Sequence, residues 1–85
     1  MITNEELLDL GYDYFKHGKS GCSWHKLNSN LAFVGSKKEP IHAQYIIKMM
    51  GGGSITHMIP TENRSYDEVV KLIANYENLY SKIDF

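Results

Sequence analysis

The sequence is poor in cysteine and has no long apolar run, and each scarcity excludes a class of protein. Cys22 stands alone, so neither an intramolecular disulfide nor a cysteine-based zinc site can form within one chain. No apolar run approaches the ~18 residues that a transmembrane helix needs. The first six residues are acidic and lack the basic and apolar regions of a signal peptide. We therefore expect a cytoplasmic protein without membrane contacts.

The composition is that of a small globular domain. The chain has 85 residues, of which 42% are hydrophobic and 22% are charged. A domain of this size buries only about 60% of the surface that its unfolded chain exposes, so its core must be thin. The four histidines do not have the spacing of a metal site. We expect one α+β domain over residues 1–85, with no metal and no cofactor.

Charge is unevenly distributed along the chain. Residues 16–48 carry a formal charge of +5, because six lysines stand against Glu39, whereas residues 1–15 carry −4 and residues 49–85 carry −2. A basic centre between acidic ends can attract a negatively charged partner. The same distribution can instead pair acidic helices with a basic sheet inside one molecule. The sequence leaves these two interpretations open.

Two segments have the pattern of amphipathic helices. Thr3 and Glu6 have the spacing of a capping box, and the apolar residues that follow as far as Phe15 predict a helix of about three turns. Ser65 and Glu68 form a second capping box before a long apolar stripe. The stripe consists of Val69, Leu72, Ile73, Tyr76, Leu79, Tyr80 and Ile83. It must pack on a sheet or on a partner.

The centre of the chain has the pattern of strands. Residues 22–34 predict a β-hairpin, because the turn-forming segment Asn-Ser-Asn separates two short extended segments. Residues 41–50 favour a second hairpin with residues 55–59 about the three glycines, and a central helix is the alternative. The predicted fold is therefore an N-terminal helix, a small antiparallel sheet of three to four strands, and a C-terminal helix packed on one face.

No catalytic constellation is evident from sequence spacing. Ser23 and His25 share one face of the predicted strand, but a separation of roughly 7 Å along a strand is too long for a direct hydrogen bond. Cys22 falls on the opposite face from His25. The segment Gly51–Ser54 lacks the Gly-Lys ending of a phosphate-binding loop. We therefore predict no catalytic residue, and the sequence favours a protein that is not an enzyme without deciding the question.

One resemblance covers 19 residues. Leu-Leu-Asp-Leu-Gly-Tyr at residues 7–12, followed by Lys-Ser-Gly-Cys-Ser-Trp-His at residues 19–25, resembles the start of HicA-type toxins. The resemblance implies a ribonuclease with a double-stranded-RNA-binding fold, in which a strand histidine is catalytic. His25 is the candidate for that role, although the Gly-Ser-His triplet of the family is absent.

The leading functional hypothesis is a small non-enzymatic module that binds a protein. Its composition is compatible with a phage or a mobile element, which favours an inhibitor or modulator of a host or defence protein. The predicted contact residues are Trp24, Lys26, Lys37, Lys38, Tyr45 and Lys48. The alternative is an RNA-binding domain that uses the basic centre, or a HicA-like ribonuclease. A homodimer also remains open.

Overall fold

The computed structural model contains a five-stranded antiparallel sheet with one helix before it and one after it in the chain, and it describes the backbone of residues 1–83 and the side chains of residues 1–76. The elements are α1 (Asn4–Asp9), β1 (Asp13–His17), β2 (Gly21–His25), β3 (Leu31–Ser36), β4 (Glu39–Lys48), β5 (Ser54–Pro60) and α2 (Tyr66–Ile83). This is the predicted α+β layout with a helix at each end. The sheet has five strands rather than three to four.

The extra strand comes from a first helix that is shorter than predicted. The capping box is confirmed, since Thr3 Oγ1 accepts a hydrogen bond from the Glu6 amide at 3.2 Å and Glu6 Oε1 accepts one from the Thr3 amide at 3.0 Å. However, α1 ends at Asp9, so the prediction of about three turns is wrong.

Gly11 is the reason why α1 ends early. Its φ of +95° suits glycine, and its amide donates to the Leu8 carbonyl while the Tyr12 amide donates to the Leu7 carbonyl, each at 3.0 Å. This pair of bonds is the Schellman arrangement that closes a helix. Residues 13–17 are thereby released from the helical path and form β1.

The sheet is a meander in which every strand pairs with the next strand in sequence, in the order β1-β2-β3-β4-β5. Residues 41–50 therefore belong mainly to a strand, as favoured from the sequence, and β4 pairs with β5 from His42 opposite Pro60 to Lys48 opposite Ser54. The three glycines of the connecting turn have φ angles of +90 to +92°. Such backbone is favourable for glycine and strained for other residues.

The helix α2 starts at the second predicted capping box and lies on the sheet. The Glu68 amide donates to Ser65 Oγ at 3.3 Å, and the Ser65 amide donates to Glu68 Oε1 at 3.2 Å. Val69 and Ile73 are buried, and Leu72 and Tyr76 pack against the same core. The rest of the predicted stripe, from Leu79 onward, lies outside the described side chains.

The core occupies one face of the sheet. A row of buried side chains crosses four strands, from Trp24 through Phe33 and Ala43 to Ile59. Leu7 from α1 joins the same cluster. Both helices thus cover the same face. Within the described residues, no helix combines the length and apolarity needed to cross a lipid bilayer.

Candidate functional site

The sheet face opposite the helices presents polar and aromatic side chains. Because side chains alternate along a strand, the residues next to the buried row point away from the core. Phe15 and Met58 on this side are 47% and 55% exposed. We call this surface the open face, and it comprises Asp13, Phe15, His17, Ser23, His25, Ala32, Val34, His42, Gln44, Ile46, Lys48, Thr56 and Met58.

Two histidines on the open face converge on one serine. His17 Nε2 lies 2.6 Å from Ser23 Oγ, and His25 Nε2 lies 2.9 Å from the same oxygen. Ser23 is 5% exposed, whereas both histidines are exposed. The two rings therefore cover the hydroxyl, and anything that approaches from solvent meets the imidazoles first.

The structure corrects the distance that the sequence predicts between Ser23 and His25. The predicted separation of Ser23 and His25 was too long for a hydrogen bond, yet the long imidazole side chain leans along β2 and closes the gap to 2.9 Å. The sequence does not predict His17 as a site residue, because the apolar spacing before it indicates a helix instead of a strand. Once β1 forms, Phe15 pairs with Ser23, and His17 reaches Ser23 diagonally across the strands.

The shared hydroxyl gives the two imidazoles complementary roles. A serine hydroxyl carries one hydrogen and two acceptor positions, and a neutral imidazole has one N–H and one bare nitrogen. A continuous chain forms when one ring donates to Ser23 Oγ and the hydroxyl donates to the other ring. In that chain one Nε2 donates a hydrogen bond to Ser23 Oγ and the other Nε2 accepts one from it.

An aromatic ring and a shallow depression adjoin His25. The Phe15 ring contacts the His25 ring edge-on, with centroids 5.5 Å apart. Beside the two rings lies a depression whose lining also includes Asp13, Lys26, Leu27 and Asn28. A half-exposed ring beside a depression suits a planar ligand group that stacks on it.

A third histidine extends the polar surface across the sheet. His42 follows Ser23 and Val34 in the same cross-strand row, two strands from Ser23 and so roughly 10 Å away. Its Nε2 lies 3.4 Å from the side-chain amide of Gln44. Val34 therefore separates the Ser23 cluster from His42, and the polar groups of the open face lie on β1, β2 and β4.

Two lysine-bearing turns meet at the end of the sheet near His17. The Lys37 amide donates to the Ser20 carbonyl at 2.9 Å, which joins the β3–β4 turn to the β1–β2 turn that contains Lys19. Lys37 and Lys38 have φ angles of +53° and +62°, a left-handed conformation that costs a non-glycine residue about 1–2 kcal/mol. Lysine at these two positions therefore lowers the stability of the fold.

Two of the predicted contact residues are buried. Trp24 is completely inaccessible and Tyr45 is 3% exposed, because both belong to the core beneath the helices. Neither side chain offers surface to a partner in this fold. Lys48, by contrast, ends β4 exposed on the open face, and Lys37 is exposed at the edge of that face.

Lys26 and Lys38 lie against the other side of the sheet. The Lys26 ammonium is 5.8 Å from the centre of the Tyr12 ring, and the Lys38 ammonium is 5.7 Å from that of Tyr14. Desolvation, followed by the neighbouring Cys22, raises the pKa of Tyr14 above its ordinary 10.0, so the ring stays neutral beneath the cation. The six predicted contact residues thus do not form one surface.

The described residues contain no group of three or more His, Cys, Asp and Glu side chains that could hold a metal ion. Comparison with known proteins adds no assignment, since no family model matches the chain and neither the curated proteins nor the solved structures give a significant match.

Proposed function

We propose that this domain binds single-stranded nucleic acid along the open face of its sheet. The observation that carries the proposal is the placement of exposed Phe15 and three imidazoles on an uncovered sheet, beside lysine-bearing turns. Aromatic and imidazole rings stack on unpaired bases, and cations contact the phosphates between them. A sheet face is flat enough to support several successive bases.

The charge distribution supports a path of the nucleic acid along β4, on the open face. Lys19 and Lys37 stand at one end of the open face, and Lys48 stands at the other end, roughly 30 Å away along β4. The acidic side chains that the structure describes on the two helices lie on the opposite side of the sheet, and they are Glu5, Glu6, Asp9, Asp67 and Glu68. A polyanion is therefore attracted to the open face and repelled by the helices.

Fluorescence anisotropy with a labelled single-stranded oligonucleotide tests the proposal. We expect Phe15→Ala to weaken binding by about 1–3 kcal/mol through lost stacking. Lys37→Glu should weaken binding and reduce its dependence on salt. Lys71→Glu makes the same charge change on exposed α2 and should leave affinity nearly unchanged. Equal losses for Lys37→Glu and Lys71→Glu would contradict binding at the open face.

A protein partner is the second candidate, favoured by the apolar end of the β4–β5 hairpin. Ile47, Met49 and Ile55 are 41%, 52% and 52% exposed, and Met50 is fully exposed. Methionine and isoleucine suit an adaptable protein contact. If this end binds a protein, Met50→Lys should abolish the complex in a pull-down from the source cell, whereas Lys37→Glu should not.

A further inference from the structure

The strand β5 forms one edge of the sheet and directs some of its backbone groups away from the sheet. The Met49 amide donates to the Gly53 carbonyl, and the Thr61 amide donates to the Ile41 carbonyl, each at 3.1 Å. These two bonds lie at the two ends of the β4–β5 ladder and fix its pattern, because hydrogen-bonded and non-hydrogen-bonded pairs alternate along antiparallel strands. The backbone groups of β5 that point away from β4 are therefore those of Ser54, Thr56 and Met58.

The two edges of the described sheet differ in how they are protected. Edge strands are usually guarded against further pairing by charged side chains, bulges or a covering element. The edge strand β1 is five residues long and contains Asp13 and Lys16. The edge strand β5 is seven residues long, contains no Asp, Glu, Lys or Arg, and is exposed from Ser54 to Met58. In its described part, α2 approaches β3 and leaves the β5 edge uncovered.

We propose that the β5 edge pairs with the β5 edge of a second copy of this chain, in the antiparallel sense and about a two-fold axis at Thr56. Thr56 then lies opposite the partner's Thr56, and Ser54 lies opposite the partner's Met58. Each of these pairs exchanges two backbone hydrogen bonds. All the amides that β5 directs away from the sheet therefore find a carbonyl.

Two residues select this register. If the axis moved to Met58, Pro60 would lie opposite Thr56, and a hydrogen bond would be lost because proline has no amide hydrogen. If the axis moved to Ser54, Gly52 would lie opposite Thr56, and Gly52 belongs to the turn with a φ of +90°. A shift by a single residue would place the outward groups opposite groups that already bond to β4. Only the register centred on Thr56 uses every outward amide of β5.

The side chains of β5 are compatible with a second copy of the same strand. A two-fold interface is self-complementary, so each residue must tolerate the residue that symmetry places opposite it. Besides the threonine pair, Ser54 meets the partner's Met58 and Ile55 meets the partner's His57, and no like charges lie opposite each other. Threonine pairs stabilise antiparallel strands. A strand without charged side chains also has no means of rejecting an identical strand.

The pairing joins the two open faces into one surface. Thr56 and Met58 belong to the open face, and side chains that lie opposite each other across paired strands point to the same side of the sheet. The helices of both copies therefore lie together on the other side. The dimer does not depend on nucleic-acid binding, although it would offer a bound strand a wider sheet.

Sedimentation velocity of the full chain over a range of protein concentrations tests the proposal. We expect a monomer–dimer equilibrium. Thr56→Pro removes an outward amide without removing a bond to β4, and it should raise the dissociation constant of the dimer by about tenfold or more. Lys16→Pro is the matched control, because the alternation of bonds leaves the Lys16 amide pointing outward from the β1 edge. It should leave the dissociation constant unchanged.

Two results of that experiment would refute the β5 dimer. One is a native chain that stays monomeric at every concentration. The other is a dimer that Lys16→Pro dissociates and Thr56→Pro does not. Circular dichroism should verify that both variants are folded.

Cysteine cross-linking tests the register without a proline substitution. In the proposed pairing the Cα atoms of Thr56 and the partner's Thr56 are about 5.5 Å apart, which a disulfide can span, so Thr56→Cys should oxidise to a covalent dimer. Ser54→Cys is the control, because its two copies would be roughly 14 Å apart. The native Cys22 is buried and should not interfere. Equal cross-linking of the two variants, or none in Thr56→Cys, would overturn the proposed pairing.

Discussion

The indole nitrogen of Trp24 donates a hydrogen bond to Asn4 Oδ1 across 2.8 Å, which joins the middle of β2 to the first residue of α1. A helix of six residues is too short to be stable alone, so α1 depends on such tertiary contacts. The bond also satisfies the indole N–H, which would otherwise be unpaired in the core. One polar contact therefore serves both the helix and the buried tryptophan.

Removing this acceptor should destabilise the domain. We expect Asn4→Ala to lower the free energy of unfolding by about 1–3 kcal/mol, because the indole N–H of Trp24 is left buried without a partner. Asn4→Asp keeps an acceptor oxygen and should lose much less. Urea unfolding followed by tryptophan fluorescence measures both changes. Equal losses for the two variants would show that the hydrogen bond is not what matters.

Replacing Lys37 and Lys38 in the β3–β4 turn by residues that favour a left-handed backbone should stabilise the fold and also weaken nucleic-acid binding. Asn and Gly adopt left-handed backbone more readily than lysine, so a Lys37→Asn/Lys38→Gly protein should gain about 1 kcal/mol in unfolding free energy. Loss of the Lys37 charge at the edge of the open face should weaken its affinity for nucleic acid. A Lys37→Ala/Lys38→Ala protein should lose affinity similarly without becoming more stable. Unchanged affinity in both proteins would contradict a role for this turn in binding.

A bulge at Gly35 should tolerate no side chain. The pairing of β3 with β4 shifts between Val34 and Gly35, and a Cβ on Gly35 would collide with the Glu39 carbonyl oxygen. We expect Gly35→Ala to cost about 1–3 kcal/mol. Gly18→Asn is a suitable control, because Gly18 has φ +64° and open space around it. Thermal unfolding should show a lower Tm for Gly35→Ala only.

The capping box of α2 should make stability depend on pH in acid. Hydrogen bonds from the backbone and side chain of Ser65, with a smaller effect of Arg64 and Lys71, lower the pKa of Glu68 from its ordinary 4.5. A carboxyl whose pKa is lower in the folded state stabilises the fold above pH 4.5. That contribution disappears as the pH falls through the folded-state pKa.

Glu68→Gln tests this linkage directly. The variant should be less stable than the native chain at neutral pH, and the difference should shrink at a pH well below 4.5. Ser65→Ala removes one hydrogen-bond partner of the carboxylate. In a Ser65→Ala protein, Glu68→Gln should therefore lower the stability at neutral pH by less than it does in the native chain. Chemical unfolding at both pH values measures it. Parallel stability curves for the native chain and Glu68→Gln would contradict the assignment.

Local sequence signals predicted most of the fold. Both capping boxes, the hairpin about residues 28–30 and the β4–β5 hairpin depend on contacts between near neighbours in sequence. The first helix was predicted too long because Tyr14 and Phe15 continue a helical spacing by chance. Gly11 was the available signal for its end, and tertiary pairing with β2 decides the conformation of the residues that follow.

The site was harder to predict than the fold. Trp24 and Tyr45 were assigned to a contact surface by residue type, whereas burial depends on which face of the sheet the helices cover. His17 and Ser23 meet across two strands, and that meeting depends on the register between β1 and β2. Register is a property of the assembled sheet, which spacing along a single segment does not encode.

The meander also determines how the chain can fold. Successive strands are joined by connections of between two and five residues, so each pairing needs the closure of a short loop. Hairpins can therefore form in order as the polypeptide leaves the ribosome, without waiting for a distant segment. The helix α2 then closes over a nearly complete sheet, and we expect fast refolding dominated by local zippering.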